Sequence, residues 1–341
     1  MSFDALMTRS WDENRLLSAL LELTYRCNLD CFFCYNDLSV RGKALTFEQY
    51  DLLLRDLASM NALTVILSGG EPLAHPDFFR IGARARELGF VVRVKTNGHA
   101  VHGELARRLR DEVDPFVVEV SLHGATAETH DRQTRVPGSF DRLLANLREM
   151  ISLGLRVKVN TTLTRWNEDD IEGMYAITDA LNVPLRFDLQ VTPRDDGDRT
   201  PLSIVPSAEG VRKLISVDRQ RAASGGEDAV QAKPSPVTTS KHCGAGSAGL
   251  AIDPFGNVYP CVQWRQAVGN LHERPLRDIW NDSLEDIRAT TTTAKDVVAS
   301  HPHGKLLNFC PGLAAVLTGS PLSVPNEMER VAAIVNSVDP R

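Results

Sequence analysis

Cys27, Cys31 and Cys34 stand on one short stretch, spaced C-x3-C-x2-C, directly after a mostly apolar run from Leu20 to Thr24. Three thiolates are one short of the closed tetrahedral set of structural zinc, and neither spacing is the doubled C-x2-C of a zinc finger. Soft sulfur ligands on a loop also suit an iron–sulfur cluster, and a missing fourth ligand leaves one iron open for chemistry. A zinc site completed by a distant residue is the alternative.

Such a loop has to be delivered by a strand, and the chain supplies strands at a regular spacing. Strand-like runs at 20–24, 63–68, 90–95, 116–122, 155–163 and 185–191 alternate with helical periods at about 47–60, 76–88, 102–113, 139–151, 168–181 and 207–221. Thr46-Phe-Glu-Gln49 reads as a capping box, Ser139 as a helix cap, and Gly154 as a helix stop. Alternation of this kind predicts βαβ units and a parallel sheet, with ligand chemistry at the carboxyl ends of the strands. Three turns fall on that edge: the cysteine loop, Gly69-Gly70-Glu71-Pro72, and Asn97-Gly98. Paired glycines let a backbone approach a ligand, and Glu71 offers a carboxylate to an ammonium group. Taken alone, two glycines and a proline make only a turn.

The cysteine spacing, with aromatic Phe33 before its last member, resembles the radical S-adenosylmethionine (SAM) superfamily. That resemblance implies that Cys27, Cys31 and Cys34 hold a [4Fe–4S] cluster whose open iron is chelated by SAM. It implies reductive cleavage of SAM to a 5′-deoxyadenosyl radical, and a partial (β/α)6 TIM-type barrel within an α/β fold. Gly69, Gly70, Glu71 and Pro72 resemble the motif that holds the SAM amino group. Ser121 and His123 end the fourth strand, where relatives reach the SAM ribose and carboxylate, and Arg135 falls where they place a basic residue. Asn97 and Asn160 complete the expected cofactor-binding residues. A strand-end histidine that is merely hydrogen-bonded is the plainer reading of His123.

The remaining cysteines form a second group. Cys243 is followed by twelve residues, Gly256, four residues and Cys261, and Cys310 comes later in Phe309-Cys-Pro-Gly312. C-x12-G-x4-C resembles the start of the SPASM and twitch extensions, which bind auxiliary [4Fe–4S] clusters. Gly269-Asn-Leu-His-Glu-Arg-Pro looks like the segment that follows. A full SPASM domain would have seven cysteines here, so three imply a twitch-like extension with one auxiliary cluster. His242, His272, His303, a carboxylate, water or substrate is left as its fourth ligand. The expected organisation is a barrel at 1–222, a linker at 223–241, and a small hairpin-and-helix auxiliary-cluster domain at 242–341. Three scattered, buried free thiols are the structural alternative.

Composition narrows the partners. A net charge of −6 argues against a general nucleic-acid surface. No apolar run approaches 20 residues and the acidic N-terminus has no signal-peptide core, so neither a membrane nor secretion is expected. Six cysteines are too few for a secreted disulfide scaffold, and a reducing cytoplasm fits. The expected partners are a small polar substrate of sugar, aminosugar or nucleoside type and an electron donor of flavodoxin or ferredoxin type. Dehydrogenation, decarboxylation or epimerisation is the expected outcome, in natural-product biosynthesis. Maturation of a ribosomal peptide is the second reading, disfavoured because only Met1 to Ala19 precede the first strand. An iron–sulfur sensor or scaffold would need neither the barrel nor the Gly-Gly-Glu-Pro turn.

Overall fold

The computed structural model describes residues 3–37, 39–223 and 239–338, so most of the expected linker lies outside the described residues. Its strands are β1 (Ser18–Glu22), β2 (Thr64–Ser68), β3 (Val91–Thr96), β4 (Val117–Ser121), β5 (Val157–Thr162), β6 (Leu185–Asp188), β7 (Gly249–Ile252), β8 (Asn257–Tyr259) and β9 (Gly269–Asn270). The helices up to the linker are α1 (Phe3–Asp12), α2 (Phe47–Ser59), α3 (Phe78–Glu87), α4 (Gly103–Arg108), α5 (Ala127–Thr134), α6 (Ser139–Ser152), α7 (Ile171–Ala180) and α8 (Ala208–Ala223). Beyond it come α9 (Leu276–Asp282), α10 (Glu285–Ser300), α11 (Pro311–Thr318) and α12 (Asn326–Val338). The chain forms two compact units. One holds Met1–Arg26, Leu38–Arg93 and Ala232–Ala332, and the other holds Cys27–Asp37, Val94–Gln231 and Ala333–Arg341.

In the first unit β1 pairs parallel with β2, setting Glu22 against Ser68, so both strands end on one edge. Its other side pairs parallel with β7, and β8 and β9 extend the sheet antiparallel. The β7–β8 hairpin is legible in the sequence, but the pairing of β7 with β1 is not. An apolar β1 needs a partner on both edges, and the small, apolar Gly-Leu-Ala-Ile of β7 supplies one. The capping box opens α2 as expected, with Gln49 N donating to Thr46 Oγ1 and Thr46 N to Gln49 Oε1. Tyr50, Leu53, Leu54 and Leu57 form the buried stripe of α2.

In the second unit β4, β5 and β6 run parallel in register, with Ser121 opposite Asn160 and Thr162 opposite Asp188. One face is apolar and covered: Thr161 touches Met174 of α7, and Phe187 packs on Tyr175 of the same helix. The other face carries Glu119, Ser121, Lys158, Asn160, Arg186 and Asp188 at alternate positions. Parallel strands buried on both sides are ordinarily apolar throughout, so this alternation marks a face built to meet something polar.

The start of α6 differs from the sequence expectation. Gly138, at φ +76°, occupies the cap and Ser139 lies inside the helix. The Asp131 carboxylate accepts from Gly138 N, Phe140 N and the Ser139 hydroxyl at 2.6–2.8 Å. A carboxylate answers the partial positive charge of a helix N-terminus better than a hydroxyl does, so Asp131 displaces Ser139 from the cap. Gly154, at φ +80°, follows the helix end as expected. Among the described residues no helix is long and apolar enough to cross a membrane.

Candidate active site

The cysteine loop is tied down by hydrogen bonds from its own backbone. The last carbonyls of a helix lack partners within the helix. Those of Gln133 and Thr134, ending α5, accept from Phe32 N at 2.9 Å and Asp30 N at 3.1 Å. Arg135 follows in the left-handed conformation at φ +57°, unusual for arginine, and its guanidinium reaches Asp30 and lies over the Phe32 ring. Phe32 in turn stacks on Trp166 at 4.7 Å. Asn97, just past β3, donates to Asn28 Oδ1 at 2.7 Å and approaches Cys27 Sγ at 3.7 Å, while its own oxygen accepts from His99 N. It serves the turn and the cysteine loop at once.

Phe33 meets the edge of His123 at 4.7 Å. The backbone of His123 is fixed on both sides. Its N–H donates to His130 Nδ1, and its carbonyl accepts from Gln133 and Asn167. Burial depresses the imidazole to about 3, helped by the neighbouring His130, itself depressed to about 4 by burial. His123 is therefore neutral at physiological pH, and its buried Nδ1 has no partner among the described residues.

In the first unit the Gly-Gly turn closes on the segment that leads into the cysteines. Gly70 N donates to Thr24 O at 2.7 Å and Glu71 N to Arg26 O at 2.8 Å. A Cβ on Gly70 would sit 2.6 Å from Arg26 O and 2.8 Å from Tyr25 O, and Gly69 has φ +136°. The glycines are required by backbone approaching backbone. Glu71 is buried, and its carboxylate accepts from Leu73 N at 3.2 Å. Ser121 closes β4, and Asn160 donates to Glu119 at 3.1 Å.

Cys243, Cys261 and Cys310 come together in the first unit by three separate devices. Gly256, at φ +82°, turns the β7–β8 hairpin, and buried Asp253 accepts from Phe255 N and Asn257 N at 2.9 Å. Cys261 follows that hairpin. A Cβ on Gly312, in the first turn of α11, would lie 2.7 Å from Gln263 O, so the turn begun by Cys310 packs against the one after Cys261. His242, beside Cys243, binds Phe309 O at 2.8 Å, one residue before Cys310. Arg265, four residues past Cys261, makes a bidentate pair with fully buried Glu22 at 2.6 and 2.9 Å. Nothing in the spacing of the sequence announces that pair.

The donor sets suit iron–sulfur chemistry. Main-chain N–H groups two or three residues on donate to the sulfurs: Leu29 to Cys27 at 3.4 Å, Leu313 to Cys310 at 3.5 Å, and Asn36, Ala245 and Gln263 to Cys34, Cys243 and Cys261. Burial opposes them, pushing Cys243 up to about 12, Cys310 up to about 11, and Cys31, Cys34 and Cys261 upward as well. These thiols keep their protons until iron displaces them. Among the described residues no three such side chains converge on the space of one metal ion. A cubane takes each thiolate on a separate iron. Both ring nitrogens of His272 are engaged, by Gln49 and by Lys43 O, which removes it from the candidates for a fourth ligand.

Residues 21–177 match the family model described as the radical SAM superfamily, and residues 243–300 match that of an iron–sulfur cluster-binding domain, SPASM. The chain is 30% identical over 274 residues to mycofactocin maturase MftC of Mycobacterium ulcerans, covering 77% of this chain and 73% of that one. It is 28% identical over 284 residues to AdoMet-dependent heme synthase of Methanosarcina barkeri, covering 77% and 81%. The solved structure of native anSMEcpe with bound AdoMet shares the fold at a TM-score of 0.74 and 15% identity, over 94% of this chain and 96% of that one.

Proposed function

This chain belongs to the radical SAM superfamily, and from that premise we propose that it abstracts a hydrogen atom from a small polar substrate. Its cofactors are SAM, a [4Fe–4S] cluster, and an auxiliary iron–sulfur cluster in the SPASM region. In this reading Cys27, Cys31 and Cys34 hold the first cluster, and Cys243, Cys261 and Cys310 hold one auxiliary cluster. Bound together, the first cluster and SAM supply a 5′-deoxyadenosyl radical. The protein's part is to hold, orient and shield. Asn97 fixes the start of the cysteine loop, and the carbonyls ending α5 fix its middle. The Gly69-Gly70 turn presents backbone and Glu71 to the SAM ammonium. Neutral His123 packs edge-on against Phe33 of the loop. An external donor of flavodoxin or ferredoxin type supplies the electron.

The observation that carries the reading is the anchoring of the three-cysteine loop by Asn97, just past β3, and by the Gln133 and Thr134 carbonyls that end α5. The test is anaerobic reconstitution with iron and sulfide, then dithionite and SAM, with 5′-deoxyadenosine as the readout. Absence of 5′-deoxyadenosine from protein with a full complement of iron would reject it. Peptide maturation is the second reading. It is favoured by relatives named mycofactocin maturase and PqqA peptide cyclase, the latter 28% identical over 278 residues. Relatives named for heme synthesis show that the matched group is not confined to peptides. A panel of peptides and small polar metabolites, scored by stimulated 5′-deoxyadenosine formation, separates the two.

A further inference from the structure

Glu22 is fully buried at the end of β1, and the Arg265 guanidinium grips it with two contacts, at 2.6 and 2.9 Å. Ion pairs this deep are a poor source of stability, because well-packed apolar residues of similar volume do as well or better. The surroundings hold the fork in one orientation. Tyr25 OH donates to the same carboxylate at 3.1 Å, and the guanidinium carbon lies 5.1 Å from the centre of the Tyr259 ring. Tyr259 is itself fixed by its hydroxyl, which donates to Asp253. Burial pushes both phenols upward, so they stay protonated and remain donors. The pair also stands beside one thiol of the second set. Cys261 and Trp264 face each other across a tight turn, with Trp264 N donating to Cys261 O at 3.0 Å, and Arg265 is the next residue. Burial pushes the Cys261 thiol up, and the Arg265 charge acts against that push. Among the described residues no other cation acts in this way on Cys243, Cys261 or Cys310. Lys241, two residues before Cys243, spends its ammonium on Trp11 O and Asn14 Oδ1.

We propose that Arg265 sets how readily the auxiliary cluster takes an electron, acting through Cys261 from a position fixed by Glu22. The inference rests on the reading that Cys261 is a ligand of that cluster. Thiolate ligands bring negative charge to the site, and an added electron brings more. A buried site has little water to offset that charge, so a fixed cation favours the reduced form. The planar guanidinium suits the task better than an ammonium, because it can pair with a carboxylate and lie over a ring at once. Glu22 aims the cation and cancels part of its field, so the two residues move the reduction potential in opposite directions. A pair that only braced the turn would not do this, since loss of either partner would loosen the same contact.

The test is a one-electron dithionite titration of the reconstituted chain carrying Cys27→Ala, Cys31→Ala and Cys34→Ala. That parent leaves the second set of thiols alone to hold iron, and electron paramagnetic resonance follows the reduced cluster at constant pH. Iron should stay near about four per chain in the parent and its variants, by cubane stoichiometry. Glu22→Gln should favour the reduced form about tenfold, about 59 mV for one electron. Glu22→Gln combined with Arg265→Gln removes both charges and strands neither, and its potential should fall below that of the parent. Arg265→Lys keeps the charge and loses the fork, and should lie between the parent and the double variant. Shifts of the same sign in Glu22→Gln and the double variant, or unchanged potentials in both, overturn the proposal. So does loss of iron from both, which would make the pair a brace for the Cys261 turn alone. A parent without iron overturns the ligand reading, and the inference falls with it. Full iron without the opposite shifts overturns the inference and leaves that reading standing.

Discussion

Two sets of three thiols are built in opposite ways. Cys27, Cys31 and Cys34 share one loop, and the fold adds only anchors: two carbonyls at the end of α5, one asparagine, and an aromatic stack. Cys243, Cys261 and Cys310 come from a loop, the far side of a hairpin, and the first turn of a helix. They meet because His242 reaches Phe309 O and because Gly312 admits Gln263. A local set survives damage elsewhere in the protein. A set gathered from distant segments depends on every element that gathers it. In the first set the placing of the thiols is a property of eight residues, and in the second it is a property of the tertiary fold.

The largest effect expected from this contrast is at the local set. Cys31→Ala should reduce 5′-deoxyadenosine formation in dithionite to background, because the cluster that reduces SAM loses a ligand. Cleavage at the wild-type rate would break the comparison at its root. At the gathered set, removing Cys243 and Cys261 together should lower reconstituted iron from about eight to about four per chain, by cubane stoichiometry, while uncoupled SAM cleavage partly survives. Colorimetric iron and sulfide analysis measures this, and His272→Asn should leave the iron count unchanged. A count near twelve in the wild type would mean further ligands and a complete SPASM set.

A smaller loss should follow Gly70→Ala. The new methyl group meets backbone at Arg26 O and Tyr25 O, so the turn must shift beside the residue that precedes Cys27. Iron content should hold while SAM binds about tenfold more weakly, ~1.4 kcal/mol, by equilibrium titration. Unchanged affinity would remove the turn from the SAM site.

A further effect is a pH dependence of stability, to which His123 and His130 of the second unit contribute. His123 and His130 are held neutral in the folded protein, at about 3 and about 4, against an ordinary value of 6.5. Below pH 6.5 the unfolded chain binds protons that the folded chain does not, so stability is full above that pH and falls as pH drops towards 4. Each histidine contributes a slope of at most ~1.4 kcal/mol per pH unit over that window. Thermal melts at pH 7.5 and 5.0 should show the difference, and His130→Asn should flatten it. Identical melts for both proteins at both pH values would contradict the burial.

The local devices are legible in the sequence. The three-cysteine loop, the capping box at Thr46 and Gln49, the Gly-Gly turn and the β7–β8 hairpin all lie within a few residues of one another along the chain, where backbone geometry leaves few choices. The Ser139 cap fails because Asp131, eight residues earlier and in a different helix, takes the Ser139 hydroxyl together with the Gly138 and Phe140 N–H groups. The polar alternation in Val117–Ser121, Val157–Thr162 and Leu185–Asp188 is visible as pattern, but its importance depends on knowing that the strands run parallel.

The sequence by itself determined two groups of three thiols, the spacing of the first group, and the order of strands and helices that carries it. Those follow from short-range geometry and from the residue types that iron, SAM and turns require. Only the tertiary structure decided which distant residues meet. It joined β7 to β1, paired Arg265 with buried Glu22, brought Cys310 to Cys261 across a glycine, and aligned the polar positions of β4, β5 and β6 in register. Long-range pairing depends on burial and hydrogen-bond completion summed over the whole fold, and no local stretch of sequence encodes that sum.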